Sequence, residues 1–206
     1  VDFYINTKNI IGVGGRYNTR TSNRIASSKT LISDSTSSNV LFSENNFEID
    51  RFNFNFNPYY EYKSDSDKLL IDFNYINFKN DNTNTLSDVA GSTIPYTNRK
   101  YNQEGKYTIK TYRLDYTKTF SEDLSLSLGT RFADVSTDND LQSFSEKTGS
   151  IFELNENESS QFLIDETILA LYTKANATFG KWSFSGGVRY EDSSTDGNSI
   201  FMKNGT

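Results

Sequence analysis

The stretch Leu124-Ser-Leu-Ser-Leu-Gly-Thr-Arg-Phe132 alternates apolar and polar residues with a period of two. In extended backbone, successive side chains point to opposite faces. Leu124, Leu126, Leu128 and Phe132 therefore share one face, and Ser125, Ser127, Gly129 and Arg131 share the other. An amphipathic helix would repeat every 3.6 residues and is excluded here. Such a strand needs an apolar medium on one side and a polar one on the other.

The same pattern recurs on both sides of this strand. Upstream, Tyr112, Leu114 and Tyr116 alternate with Arg113, Asp115 and Thr117, and Thr119–Asp123 leaves room only for a tight hairpin turn. A second hairpin sets Phe52, Phe54, Phe56, Tyr60 and Tyr62 against Leu69, Ile71, Phe73 and Tyr75, joined by the polar cluster Lys63–Lys68. A third sets Leu169, Leu171, Thr173, Ala175, Ala177 and Phe179 against Trp182, Phe184, Val188 and Tyr190, turning at Gly180-Lys181. At the start, Phe3 and Ile5 precede a turn at Asn6–Asn9, and Ile11, Val13 and Tyr17 follow it. The reading is all-β and antiparallel, with about eight strands, one of them partial.

Composition narrows the medium. Of 206 residues, 34% are hydrophobic and 15% aromatic, with 13 Tyr and 16 Phe. Disordered chains are poor in aromatics, and no run of 18 apolar residues provides a transmembrane helix. A membrane-spanning strand needs only about 9–11 residues, every second one apolar. Without Cys, disulfide scaffolds and thiol chemistry are excluded, and without His so is the commonest general base. The net charge of -6, with acids and bases interspersed, argues against a nucleic-acid partner.

Between the hairpins lie longer polar segments, 20–46, 79–106 and 136–163, which read as loops. Short turns then alternate with long loops, as in an outer-membrane barrel with periplasmic turns at one rim and extracellular loops at the other. In hydrocarbon every backbone N–H and C=O needs a partner, which strands find only in a closed barrel. The apolar rows are read as lipid-facing, with rings near the turns, such as Tyr60, Tyr62, Phe179 and Trp182, forming an interfacial girdle. Arg113, Asp115, Arg131, Arg189 and Glu191 are read as lumen-facing, where they line a solute path, hold a plug, or pair within the wall.

Little in the chain points to catalysis. Gly12-Val13-Gly14-Gly15 lacks the G-x-G-x-x-G spacing of a nucleotide loop, and like Gly186-Gly187 it reads as relief of crowding in a curved sheet. The acidic runs Asp134–Asp140, Asp65–Asp67 and Asp81–Asp88, with Glu153, Glu156 and Glu158, miss the EF-hand spacing and read as solvated loop carboxylates rather than a calcium site. Neither Ser-x-x-Lys nor Gly-x-Ser-x-Gly occurs. No enzyme, metal or cofactor is expected.

The run Phe179-Gly-Lys-Trp-Ser-Phe-Ser-Gly-Gly-Val-Arg-Tyr-Glu191, preceded by Ile168-Leu-Ala-Leu-Tyr172, resembles the barrel of Bacteroidetes TonB-dependent receptor-like outer-membrane proteins. Asp2–Gly12 and Thr111–Phe120 are similar to earlier hairpins of that family. The resemblance implies a barrel of about 22 strands, of which residues 1–206 are a single segment making up roughly a third. It also implies a plug, energy from TonB, uptake of a bulky ligand across the Gram-negative outer membrane, and contact with membrane lipids and lipopolysaccharide. A surface lipoprotein or another outer-membrane protein is a further expected partner. Two alternatives stand beside it: a non-transporting structural, adhesion or assembly barrel, and a self-contained eight-stranded barrel.

Overall fold

A computed structural model describes residues 1–33, 38–90, 97–147 and 151–201. They form a single antiparallel sheet: β1 (Asp2–Asn6), β2 (Asn9–Ser33), β3 (Ser38–Lys63), β4 (Asp67–Ala90), β5 (Thr97–Ser121), β6 (Leu124–Lys147), β7 (Ile151–Leu154), β8 (Ser160–Phe179) and β9 (Trp182–Phe201). The spatial order is β1-β2-β3-β4-β5-β6-β8-β9, with β7 paired beside the upper end of β6. Apart from a 3-10 turn at Glu156–Glu158, the described residues hold no helix.

The turns fall where the sequence places them. Thr7-Lys8, Ser64–Ser66, Glu122-Asp123 and Gly180-Lys181 each join two neighbouring strands at one end of the sheet. Gly180 has φ +61°, a left-handed conformation that a two-residue hairpin turn requires and that favours glycine.

The segments expected as long loops are instead mostly strand. Residues 20–33 and 38–46 continue β2 and β3, 79–90 and 97–106 continue β4 and β5, and 136–147 and 160–163 continue β6 and β8. Residues 34–37, 91–96 and 148–150 of those segments lie outside the described residues. The acidic runs Asp81–Asp88 and Asp134–Asp140 are accordingly strand residues rather than loop residues. Both faces are polar there, so the period-2 signal is absent although the backbone ladder runs on. Side-chain bonds join register partners, as in Thr21–Asp50 at 2.6 Å, Asn77–Thr108 at 3.2 Å and Thr83–Asn102 at 3.3 Å.

The sheet has almost no core of its own. Among the described residues the buried hydrophobic side chains are Ala133 and Ala170. Two- and three-layer domains bury an apolar face between elements, but here that face is open: Ile71, Leu114, Leu171 and Trp182 are exposed. No pairing joins β1 to β9 among the described residues. A self-contained eight-stranded barrel would close there, so that alternative is not what the sheet forms.

Candidate functional site

Register fixes the two faces of the wall. One row runs Phe3, Ile11, Tyr60, Ile71, Leu114, Thr130, Leu171, Tyr190 across eight strands. A one-residue step turns each side chain to the other face. The adjacent row then reads Asp2, Gly12, Tyr59, Asp72, Arg113, Arg131, Ala170, Glu191, and the next row on that face reads Tyr4, Ile10, Glu61, Leu70, Asp115, Gly129, Tyr172, Arg189.

All five charged candidates, Arg113, Asp115, Arg131, Arg189 and Glu191, lie on this second face. The apolar candidates from Phe52 to Tyr190 lie on the first. On β3 the apolar positions run from Tyr62 to Phe52, about 11 residues or ~36 Å at about 3.3 Å each. Tilted by about 40–45°, that length projects to roughly 25–28 Å, matching the apolar band of about 25 Å on outer-membrane barrels. Ring contacts edge the band: Tyr17 on Phe52 at 5.6 Å, Phe54 on Tyr75 at 6.2 Å, and Tyr112 between Phe73 at 4.9 Å and Phe132 at 6.1 Å. Directly above, the same face turns charged, with Lys110 on Asp134 at 3.2 Å and Lys79 on Glu104 at 2.8 Å.

On the polar face the candidates form a network. Arg113 Nη2 lies 2.5 Å from Asp115 Oδ2, and Arg189 pairs with Glu191 at 2.5 Å. The Tyr172 hydroxyl donates a short hydrogen bond to Asp115, and the Arg189 guanidinium sits 5.9 Å from the Tyr172 ring centroid. Between Asp115 and Tyr172 in register stands Gly129, and a Cβ there would collide with the Tyr172 ring. The arrangement repeats at the other edge, where Tyr59 crosses Gly12 and donates to Asp2 at 2.7 Å. A small residue thus lets an aromatic side chain lie flat across three strands and tie the first to the third.

Arg131 stands apart from these pairs. It faces Arg113 directly in register, is exposed, and has no hydrogen bond or ion pair among the described residues. Arg113 and Arg131 border an open cleft of about 440 Å³, with Asn55, Asn57, Asn74 and Thr111 on its walls. Asp72 also borders it, and its carboxylate accepts from the Asn57 amide at 2.8 Å.

At the turn end, Asp67 accepts from Ser66 at 2.6 Å and from Tyr116 at 2.5 Å, and meets Lys118 Nζ at 2.9 Å. The Ser66 and Tyr116 hydroxyls, with the Lys118 ammonium, hold the Asp67 carboxyl well below the usual carboxylate range. Of the remaining acidic residues, Asp81, Glu104, Asp134 and Glu153 pair with lysines.

Sequence reasoning placed the charged residues on one face but did not single out Tyr172, Tyr59, Asp72 or the three asparagines. Relief of crowding holds at Gly12, where a Cβ would meet the Tyr59 ring, and at Gly187, where it would meet the Thr173 carbonyl, but not at Gly14, Gly15 or Gly186, where a Cβ would fit. Gly129 partners Tyr172 only through the β6–β8 register, which no short turn announces.

A family model described as "Outer membrane protein beta-barrel family" matches residues 60–205. Among solved structures, the chain is similar to the ferric citrate transporter FecA in its unliganded form at 10% identity and a TM-score of 0.36, covering 95% of this chain and 37% of that one. It is also similar to the Ralstonia pickettii toluene transporter TbuX at 8% identity and a TM-score of 0.13, covering 96% of this chain and 79% of that one. The chain thus spans little more than a third of the length of the first of these. No curated protein matches the sequence.

Proposed function

The chain belongs to the outer membrane protein β-barrel family and resides in the outer membrane, and from that premise we propose that it forms part of the wall of a TonB-dependent solute-uptake receptor. The observation that carries this reading is the charged polar face backing an exposed apolar one. An eight-stranded barrel fills its interior with side chains, whereas larger barrels leave a lumen. Here the sheet stays open across its strands, and the polar face keeps an unfilled cleft beside Arg113 and Arg131. A wall of that kind faces a water-filled or plugged interior.

In this role the apolar rows meet membrane lipid and lipopolysaccharide, the short turns face the periplasm, and the long polar strands rise above the outer surface. TonB supplies energy through a plug in the lumen, and a surface lipoprotein docks on the extracellular rim. The segment contributes no catalytic group.

The test is uptake. A deletion strain and its complemented parent are compared for accumulation of labelled oligosaccharides and acidic sugars, with and without a protonophore. Accumulation that falls on deletion, and equally on collapse of the proton gradient, supports energised transport. Accumulation unchanged by both treatments contradicts it.

A further inference from the structure

Two arginines directly opposite each other on neighbouring strands repel, and like-charge pairs at such positions destabilise a sheet. Arg113 and Arg131 occupy such positions in the β5–β6 register. Arg113 is partly neutralised by Asp115. Arg131 is not neutralised by any described residue, although Asp72, Asp115 and Glu191 all stand within its own or the next row. The one carboxylate that borders the cleft, Asp72, has an oxygen engaged by the Asn57 amide. The lining itself carries two positive charges against one negative, with Asp115 behind Arg113 as a second carboxylate.

The remaining walls are neutral hydrogen-bonding groups, the amides of Asn55, Asn57 and Asn74 and the hydroxyl of the nearly buried Thr111. Guanidinium groups bind carboxylate and phosphate through paired N–H donors, and amides bind hydroxyls from either side. A cleft of about 440 Å³ falls in the size range of small-molecule sites, about 300–1,000 Å³.

We propose that the Arg113–Arg131 cleft on the polar face is a binding site for a small polyhydroxylated anion, a sugar-sized body bearing a carboxylate or phosphate. The acidic group sits between the two guanidiniums and relieves their repulsion. The hydroxyls meet the asparagine amides. The inference rests on the reading of this face as a lumen wall.

The full-length protein is purified in detergent and titrated calorimetrically, at low salt, with D-glucuronate, glucose 6-phosphate and glucose. At least one of the two acids binds, with glucose at least tenfold weaker, and the acid that binds identifies the anionic group. Arg131→Gln weakens that acid at least tenfold, Arg131→Lys less so because charge remains while the fork is lost, and Arg20→Gln, higher on the same face, leaves it unchanged. Acids that bind no better than glucose, or that bind Arg131→Gln as well as the parent, overturn the proposal. A Ser127→Cys variant in intact outer membranes separates the two readings. If a water-soluble thiol reagent labels it while acids fail to bind, the anion site fails and the lumen wall stands. If Ser127→Cys is unreactive, the lumen reading itself fails.

Discussion

The ring of Tyr172 fills the space above Gly129, its cross-strand partner, so that no side chain larger than hydrogen fits beneath it. This lets the Tyr172 hydroxyl reach Asp115 one strand further on, where Asp115 also holds Arg113. The glycine is therefore part of the wall's cross-bracing. Gly129→Ala should displace the ring and lower stability by about 1–3 kcal/mol, the usual cost of overpacking. In a double-mutant cycle, most of that cost should vanish in the Tyr172→Ala background, because the obstructing ring is gone. The midpoint of heat-modified gel migration, measured for all four proteins, checks this. Equal penalties in both backgrounds would show that the ring is not what Gly129 accommodates.

The exposed row of Ile71, Leu114 and Leu171 makes a sidedness prediction. Leu114→Arg places a charge on the apolar face within the band and should cost roughly 2–4 kcal/mol in lipid. Ser185→Arg, exposed on the opposite face of β9, should change stability by less than about 0.5 kcal/mol, as ordinary surface substitutions do. Urea unfolding in lipid vesicles measures both.

Asp67 gives a pH dependence. Its folded carboxyl titrates below its unfolded value because the charged form accepts from Ser66 and Tyr116 and meets Lys118. A depressed folded pKa stabilises the fold at pH values above the unfolded one, near 4 for Asp, and that contribution is lost as pH falls below it. The parent should lose stability between about pH 5 and pH 3 more steeply than Asp67→Asn, which lacks the titrating group. Unfolding midpoints across that range compare the two slopes, and parallel slopes would rule Asp67 out as the cause.

How much of this could be read in the amino acids depends on the medium each part occupies. Where one face meets lipid, as from Leu124 to Phe132, alternation is forced and the faces are legible. Above the band, stretches such as Asn80–Asp88 (NDNTNTLSD) are polar on both sides, and Asn and Asp are weak strand formers. Their strand state comes from the hairpin ladder already in register below them, and from ties such as Lys79 to Glu104, which no local pattern records. The Arg113–Arg131 pairing was within reach only through the apolar alternation of β5 and β6, because Ser121 opposes Leu124 at the turn and an irregularity between Thr119 and Ser121 then shifts the register by one, so that Arg113 meets Arg131 rather than Phe132. The Gly129–Tyr172 contact was not, because the chain travels through residues 148–159 before β8 returns beside β6.

Those upper strands carry their own prediction. Backbone amides of Asn80–Ser87 and Asn98–Lys106, hydrogen-bonded across the β4–β5 ladder, should exchange with deuterium far more slowly than loop amides. Exchange within seconds, read by mass spectrometry of the detergent-solubilised protein, would return these segments to loops.

The central claim, an apolar face against lipid and a polar face against water, is tested most directly by a cysteine scan of Leu124–Phe132 in outer-membrane vesicles. Each position is labelled with a fluorophore and quenched by doxyl-labelled phospholipid. Quenching should alternate with period two, strong at Leu124, Leu126, Leu128 and Phe132 and weak at Ser125, Ser127 and Arg131. Uniform quenching across the nine positions, or the opposite phase, would contradict it.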